Sequence, residues 1–266
     1  MKTSTTTKNN RRKILQGCGV ALFWLTVWSV ASWIVDLELL LPSPAATLKK
    51  LLSLIITYDY WAAIGTSLFR ILIGYTLGCA LGVGMGYLLY RSVLVNALFS
   101  PMLSMIRSVP VASFIILALV WIGRENIPSF IAFLMVFPVV SSNVKTGFSS
   151  IDRELAEVAS VYRFSKRKRA KLLYKPAVLP YFITSANVTL GLAWKACVAA
   201  EILSSLSKSI GGNINTSKMH LETDTLFAWT ITVILISILF EFILARLMNL
   251  FNPKEGSVGA DARNPA

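Results

Sequence analysis

Six apolar stretches, at residues 14–35, 61–90, 94–122, 127–144, 177–202 and 225–247, limit this chain more than any other feature. Each is long enough to approach or exceed the roughly 20 residues with which a helix crosses a ~30 Å hydrocarbon core. Inside a bilayer the backbone must satisfy its own N–H and C=O groups, so such stretches fold as helices. Composition agrees: 55% of the 266 residues are hydrophobic and 15% are charged, against about 25% charged in a soluble domain. The expected class is all-α, a polytopic membrane protein with six transmembrane helices.

Lys and Arg total 26 against 13 Asp and Glu, a net charge of +13. An excess of this size is a common sign of nucleic-acid binding. Here the basic residues lie in the segments between apolar stretches, which is the positive-inside pattern. The expected partner is the lipid bilayer, with no nucleic acid. Lys13, Arg91, Lys145 and Arg246 mark inner ends, so both termini are expected in the cytoplasm of a cell-membrane protein. The expected division is a cytoplasmic segment 1–13, a transmembrane domain 14–250 and a disordered cytoplasmic tail 251–266. Residues 36–60 are expected outside, with a helix opening at Ser43-Pro44 that carries Leu48, Leu51, Leu52 and Ile55 on one face. Residues 203–224 are expected as an outer polar loop. Pro101 and Pro110 predict a kinked or broken helix over 94–122. Gly78, Gly82 and Gly86 recur every four residues, which permits close helix packing.

Residues 157–176 read EVASVYRFSKRKRAKLLYKP and interrupt the apolar pattern. The surrounding segment 146–176 holds eight basic residues against three acids. Leu155, Val158, Ala159 and Tyr162 fall at three- and four-residue spacing, the stripe of a short helix. Ser165 can cap a second helix, expected to end at Lys175 and stop at Pro176. Two short helices with an exposed apolar stripe predict a docking surface.

The same segment resembles the coupling loop of binding-protein-dependent ABC transporter permeases. Glu157, Ala159 and Pro176 fit the family pattern of Glu-Ala-Ala followed, after a glycine, by a proline. Val158 stands for the first alanine. Arg163 stands for the glycine, which ends the first helix in left-handed backbone, where arginine costs roughly 1 kcal/mol. Further segments are similar to the nitrate, sulfonate and taurine branch: Leu41-Pro42-Ser43-Pro44, Ser67-Leu68-Phe69-Arg70, Arg107-Ser108-Val109-Pro110, Pro138 with Asn143, and Gly191-Leu192-Ala193-Trp194 with Glu201. The resemblance implies a type I ABC importer permease fold and a transport subunit rather than an enzyme. It implies cytoplasmic ATPase subunits, an extracytoplasmic solute-binding protein and a second permease copy. The ATPase-coupling residues would be Glu157, Val158, Ala159, Tyr162, Arg163 and Pro176. The implied solute is a small anion such as a sulfonate, taurine or nitrate; the same branch includes permeases for thiamine-precursor pyrimidines.

Charge inside a span is expensive, about 2.5–3.5 kcal/mol on insertion scales, and faces protein or water. Arg70, Arg107, Lys195, Glu201 and Glu241 qualify. With Asn143 and Trp194, all but Glu241 are candidate pathway residues. The alternative for these charges is structural, with Arg70 or Lys195 paired to Glu201. Cys18, Cys79 and Cys197 lie in apolar runs without ligand spacing, and His220 stands alone in a polar segment. No catalytic cluster, metal set or cofactor motif is expected, and no G-x-x-x-x-G-K-[ST] phosphate loop occurs. A stand-alone secondary transporter or channel is the alternative class. Such proteins carry internal repeats and buried acids for ion coupling, and no repeat is evident here.

Overall fold

The computed structural model describes residues 4–251. The side chains of residues 4–15, 17, 18, 241, 244, 245 and 247–251 fall outside that description, and so do residues 1–3 and 252–266. The side chains of Glu241, Cys18 and segment 1–13, and residues 252–266 of the expected tail, are therefore outside the described residues.

The described residues are helical and contain no strand. In chain order the helices are α1 (Ser4–Val35), α2 (Pro44–Ile55), α3 (Tyr58–Arg91), α4 (Val93–Ser108), α5 (Val111–Trp121), α6 (Ile127–Ser149), α7 (Arg153–Val161), α8 (Lys166–Arg169), α9 (Lys175–Leu203), α10 (Ile210–Met219) and α11 (Thr223–Phe251). A 3₁₀ turn at Arg124–Asn126 precedes α6, and a π-helical turn at Ala170–Tyr174 joins α8 to α9. Among the described residues four helices are long and apolar enough to cross a membrane, or five if α4 and α5, bent by 106° at their break, count as one span. The described apolar part of α1, Gly19–Val35, is shorter than a full crossing. The expected count of six is thus not reached on these criteria.

Two compact units divide the chain: Met1–Trp61 with Asn213–Thr232, and Ala62–Gly212 with Val233–Ala266. In the first unit, Ser43 caps α2 as expected, its Oγ accepting from the Ala46 N–H at 3.2 Å. The buried face of α2 is Thr47 and Leu51, while Leu48 and Leu52 point outward. The Trp28 indole N–H donates to the Pro42 carbonyl at 3.1 Å, which ties α1 to the start of α2. Tyr60 packs at a tilt on Trp229, centroids 5.0 Å apart, and its hydroxyl bonds Thr232 at 3.0 Å.

The second unit is built around α6, in which twelve residues are buried. α3 meets α6 through a ladder of four glycines. A Cβ at Gly78 would stand 2.7 Å from Val136 Cβ, at Gly82 2.9 Å from Val140 Cβ, and at Gly86 2.7 Å from Val144 Cβ. Gly74 extends the ladder toward the Ser129 carbonyl and Ala132. Absence of side chains on one helix lets the valines of the other seat against backbone. Behind α6, residues Ile115 and Ala118 of α5 join Ile127, Ile131 and Leu134 of α6 and Ala196 and Ala200 of α9 in one apolar cluster. At the C-terminal end of α6, Phe148 is ringed by Tyr87, Tyr90 and Tyr174 at 5.3–5.6 Å.

Three sequence expectations are corrected. Pro176 does not stop a helix: the helical path from Lys166 to Leu203 is continuous. Its missing N–H is tolerated because the π turn changes the bonding register before it; the Lys175 N–H reaches back five residues to the Ala170 carbonyl. The expected loop 146–176 accordingly shrinks, since residues 146–149 complete α6 and 170–176 are helical. Finally, residues 203–224 are not simply loop. They contain α10, begun by Ser209, whose Oγ accepts from the Gly212 N–H at 2.9 Å.

Candidate functional site

Three arrangements in the second unit bear on function. The first is the segment 152–169. Asp152 opens α7 by accepting from the Glu154 N–H at 2.9 Å. The helix closes on Arg163 at φ 48°. The Phe164 N–H bonds the Ala159 carbonyl at 2.9 Å, and the Arg163 N–H bonds the Ser160 carbonyl at 3.0 Å. This pair of bonds is the Schellman motif that normally uses glycine. The left-handed position is therefore present, with arginine in it. Ser165 caps α8, its Oγ accepting from Lys168 at 3.3 Å. Arg169 then donates to the Ala159 carbonyl at 3.4 Å, folding α8 back onto α7.

The exposed face of α7 carries Leu155, Val158, Val161 and Tyr162, the last 73% exposed. Glu157 is exposed as well. Ala159 is the exception to the predicted stripe: it is 1% exposed and faces its own chain. A residue bonded to both Phe164 and Arg169 through its carbonyl sits on the inner side of the turn. Pro176 lies in the first turn of α9 and is separated from α7 in chain by the whole of α8 and the π turn.

The second arrangement surrounds Glu201, a carboxylate with 0% exposure. Its Oε2 accepts from Ser67 Oγ at 2.8 Å and from the Gly211 N–H at 3.0 Å. Its Oε1 faces Arg70 Nη1 at 3.5 Å. Ser67 in turn accepts from the Ile210 N–H at 3.1 Å. The first turn of α10 thus presents donors to a carboxylate, the favourable sign for a helix N-terminus. Of the two cations expected as partners of Glu201, Arg70 is the one that meets it; Lys195 is exposed. Trp194 precedes Lys195 on α9 but faces inward. It is fully buried, its indole N–H donating to the Val233 carbonyl at 3.2 Å and its ring against Phe240 at 5.3 Å. Asn143 is half-buried and turns its amide back to the Val139 carbonyl at 2.9 Å.

The third is a cleft of about 390 Å³ between α4 and α6, lined by Arg107, Lys145 and five hydroxyl side chains. Sequence reasoning found Arg107 but not its grouping with Lys145, Ser142, Thr146 and Ser149, which come from a different helix. Among the described residues, no group of His, Cys, Asp and Glu is placed to hold a metal ion.

A family model described as binding-protein-dependent transport system inner membrane component matches residues 74–256. The chain belongs to this family. The match takes in the glycine ladder, the cleft, α7 and Glu201. As an ABC importer permease the chain is a transport subunit of the inner membrane, and ATP hydrolysis resides in a separate subunit. The family implies ATPase and binding-protein partners. Similar proteins include the taurine transport system permease TauC of Escherichia coli K12, 25% identical over 93% of this chain and 92% of that protein. The putative aliphatic sulfonates transport permease SsuC of Bacillus subtilis 168 is 28% identical over 77% of this chain and 74% of its own length. Among solved structures, a bacterial ABC transporter for import of the acidic polysaccharide alginate superposes with TM-score 0.59 at 14% identity, over 91% of this chain and 97% of that chain. That likeness gives this permease the type I importer fold.

Proposed function

We propose that this permease carries a small anionic solute, a sulfonate in the first instance, and that α7 is the surface on which its ATPase docks. The observation that carries the docking reading is the exposed apolar face of α7 held on a fixed Schellman turn. An apolar patch on a polar, basic segment needs a partner to cover it, and a turn fixed by two backbone bonds can transmit force. The names of the two relatives, both permeases for sulfonate-bearing solutes, support the substrate class. Glu157, Val158, Tyr162 and the Arg163 turn form the proposed contact, with Ala159 and Pro176 shaping it from behind. A second copy of this chain completes the path, an extracytoplasmic binding protein delivers the solute, and both termini lie in the cytoplasm. No part of α7 itself is catalytic; ATP is consumed by the partner.

The test is reconstitution of the permease with its ATPase and binding protein in proteoliposomes. Uptake of radiolabelled taurine or an alkanesulfonate should require both ATP and the binding protein. ATP-dependent uptake of a neutral pyrimidine with no uptake of sulfonates would replace the substrate class. Uptake without ATP would make the chain a stand-alone transporter.

A further inference from the structure

We propose that the cleft between α4 and α6 is a binding site for one oxyanion group, a station for the sulfonate end of the solute at one end of the path. The inference rests on the importer reading above. Arg107, from the last turn of α4, and Lys145, from the last turns of α6, line the same cleft with Ser100, Ser104, Ser142 and Ser149. None of the residues that line it is acidic. Among the described residues the two ion pairs are Lys50 with Asp224 and Arg70 with Glu201, so neither cation of the cleft has a carboxylate partner. Two like charges that line one cleft repel, and an anion held there relieves that cost.

Lys145 is held in place rather than free to swing. Its Nζ donates to Asn96 Oδ1 at 2.6 Å, and Ser100 Oγ donates to the same oxygen at 2.8 Å. Asn96 uses up both lone pairs of its carbonyl oxygen in this way. An ammonium has three donors, so two remain for a ligand. The guanidinium of Arg107 is exposed at the cleft and offers the planar fork that matches two oxygens of an R–SO₃⁻ or phosphate group. The Ser104 hydroxyl supplies a neutral donor for the third, since those of Ser100, Ser142 and Ser149 already donate to Asn96 Oδ1, the Pro138 carbonyl and the Lys145 carbonyl. A volume of about 390 Å³ falls at the lower end of the ~300–1,000 Å³ of small-molecule sites. Sulfonates and phospholipid headgroups share this oxyanion chemistry, so the experiment separates them.

The permease–ATPase complex is placed in nanodiscs of phosphatidylcholine alone or with phosphatidylglycerol, and binding of radiolabelled methanesulfonate is measured. Saturable binding, competed by inorganic sulfate, is expected. Arg107→Gln and Lys145→Gln should each weaken it about tenfold, a loss of about 1.4 kcal/mol, as each removes a charged donor. Arg107→Lys should retain part of it, and Arg124→Gln, in the exposed turn before α6, should leave it unchanged. Phosphatidylglycerol that lowers probe affinity in the unmodified protein but not in the two Gln variants identifies a headgroup as the competing occupant of the same site. Equal binding in the unmodified protein and both Gln variants overturns the proposal, as does absence of binding together with absence of any phosphatidylglycerol effect. Should a Gln variant lose a monodisperse profile, sulfate competition and Arg107→Lys decide: no competition and no change overturn the site. ATP-driven sulfonate uptake that is normal in both Gln variants removes the cleft from transport and spares the importer reading. Intact probe binding with no ATP-driven uptake does the reverse.

Discussion

Glu201 and Gly211 are in contact across the turn between α9 and α10: the Gly211 N–H donates to Glu201 Oε2 at 3.0 Å, and a Cβ at position 211 would lie 2.5 Å from Glu201 Cβ. The carboxylate therefore serves as the anchor of a helix start. Glu201→Gln should lower stability by about 3 kcal/mol, because it leaves Arg70 and the α10 donors without their charge. Gly211→Ala should cost about 2 kcal/mol by overpacking. Both effects are read as the melting midpoint of the purified protein in detergent. A midpoint unchanged in Glu201→Gln would reduce the cluster to incidental contact.

Helix α3 offers an internal control for the glycine ladder. Gly82 faces Val140, whereas a Cβ at Gly84 would meet nothing within 4 Å. Gly82→Ala should destabilise by about 2 kcal/mol, while Gly84→Ala should stabilise by about 0.5–1 kcal/mol through helix propensity. Val140→Ala should recover part of the Gly82→Ala loss, as neighbours couple. Equal melting shifts at 82 and 84 would contradict the ladder.

Two substitutions separate the fold of α7 from its docking. Ala159→Asp buries an unpaired charge, so we predict faster tryptic cleavage at the basic residues 163–171 and loss of the ATPase. Tyr162→Asp changes an exposed side chain, so it should lose the ATPase on co-purification while tryptic resistance stays. Arg163→Gly should slow hydrogen exchange at the Phe164 amide, since glycine removes the left-handed penalty of about 1 kcal/mol. Full ATPase retention in Tyr162→Asp would remove the exposed face from the interface.

Orientation is checked by labelling intact cells with an impermeant thiol reagent, in a background without native cysteines. Cysteine at Ser205, after α9, should react; cysteine at Ser165, before α8, should not. The opposite pattern inverts the proposed topology.

Much of this architecture is readable from the chain because its signals are local. Apolar length marks α3, α6, α9 and α11, the four-residue glycine spacing marks the helix that α6 packs on, and Pro110 marks the bend between α4 and α5. Ser43 and Ser165 act as the caps their positions imply. What was hidden depends on partners distant in sequence. Glu201 meets Ser67, 134 positions away, and no periodicity points to that contact, whereas the Arg70 pairing is legible as an intramembrane charge that needs its opposite. α10 escaped because its serines and glycines resemble loop, whereas Ser209 is a cap and Gly211 is the space left for a carboxylate. Ala159 looked exposed because helical spacing assigns a stripe but cannot tell its buried edge. Pro176 looked like a stop because a π turn cannot be seen in residue type.

That π turn has a mechanical consequence. The helical path from Lys166 to Leu203 runs 38 residues, about 57 Å at 1.5 Å per residue. One end is pinned to α7 through Arg169 and the Ala159 carbonyl; Glu201 near the other grips Ser67 and Gly211. The helix is unbroken between the two, with the π turn and Pro180 the interruptions in its bond ladder. A twist applied beside α7 would travel toward the Glu201 anchor along this one helical path, as along a drive shaft, and the wide turn, clamped by Tyr174 on Phe148, is the place where torque would first be absorbed.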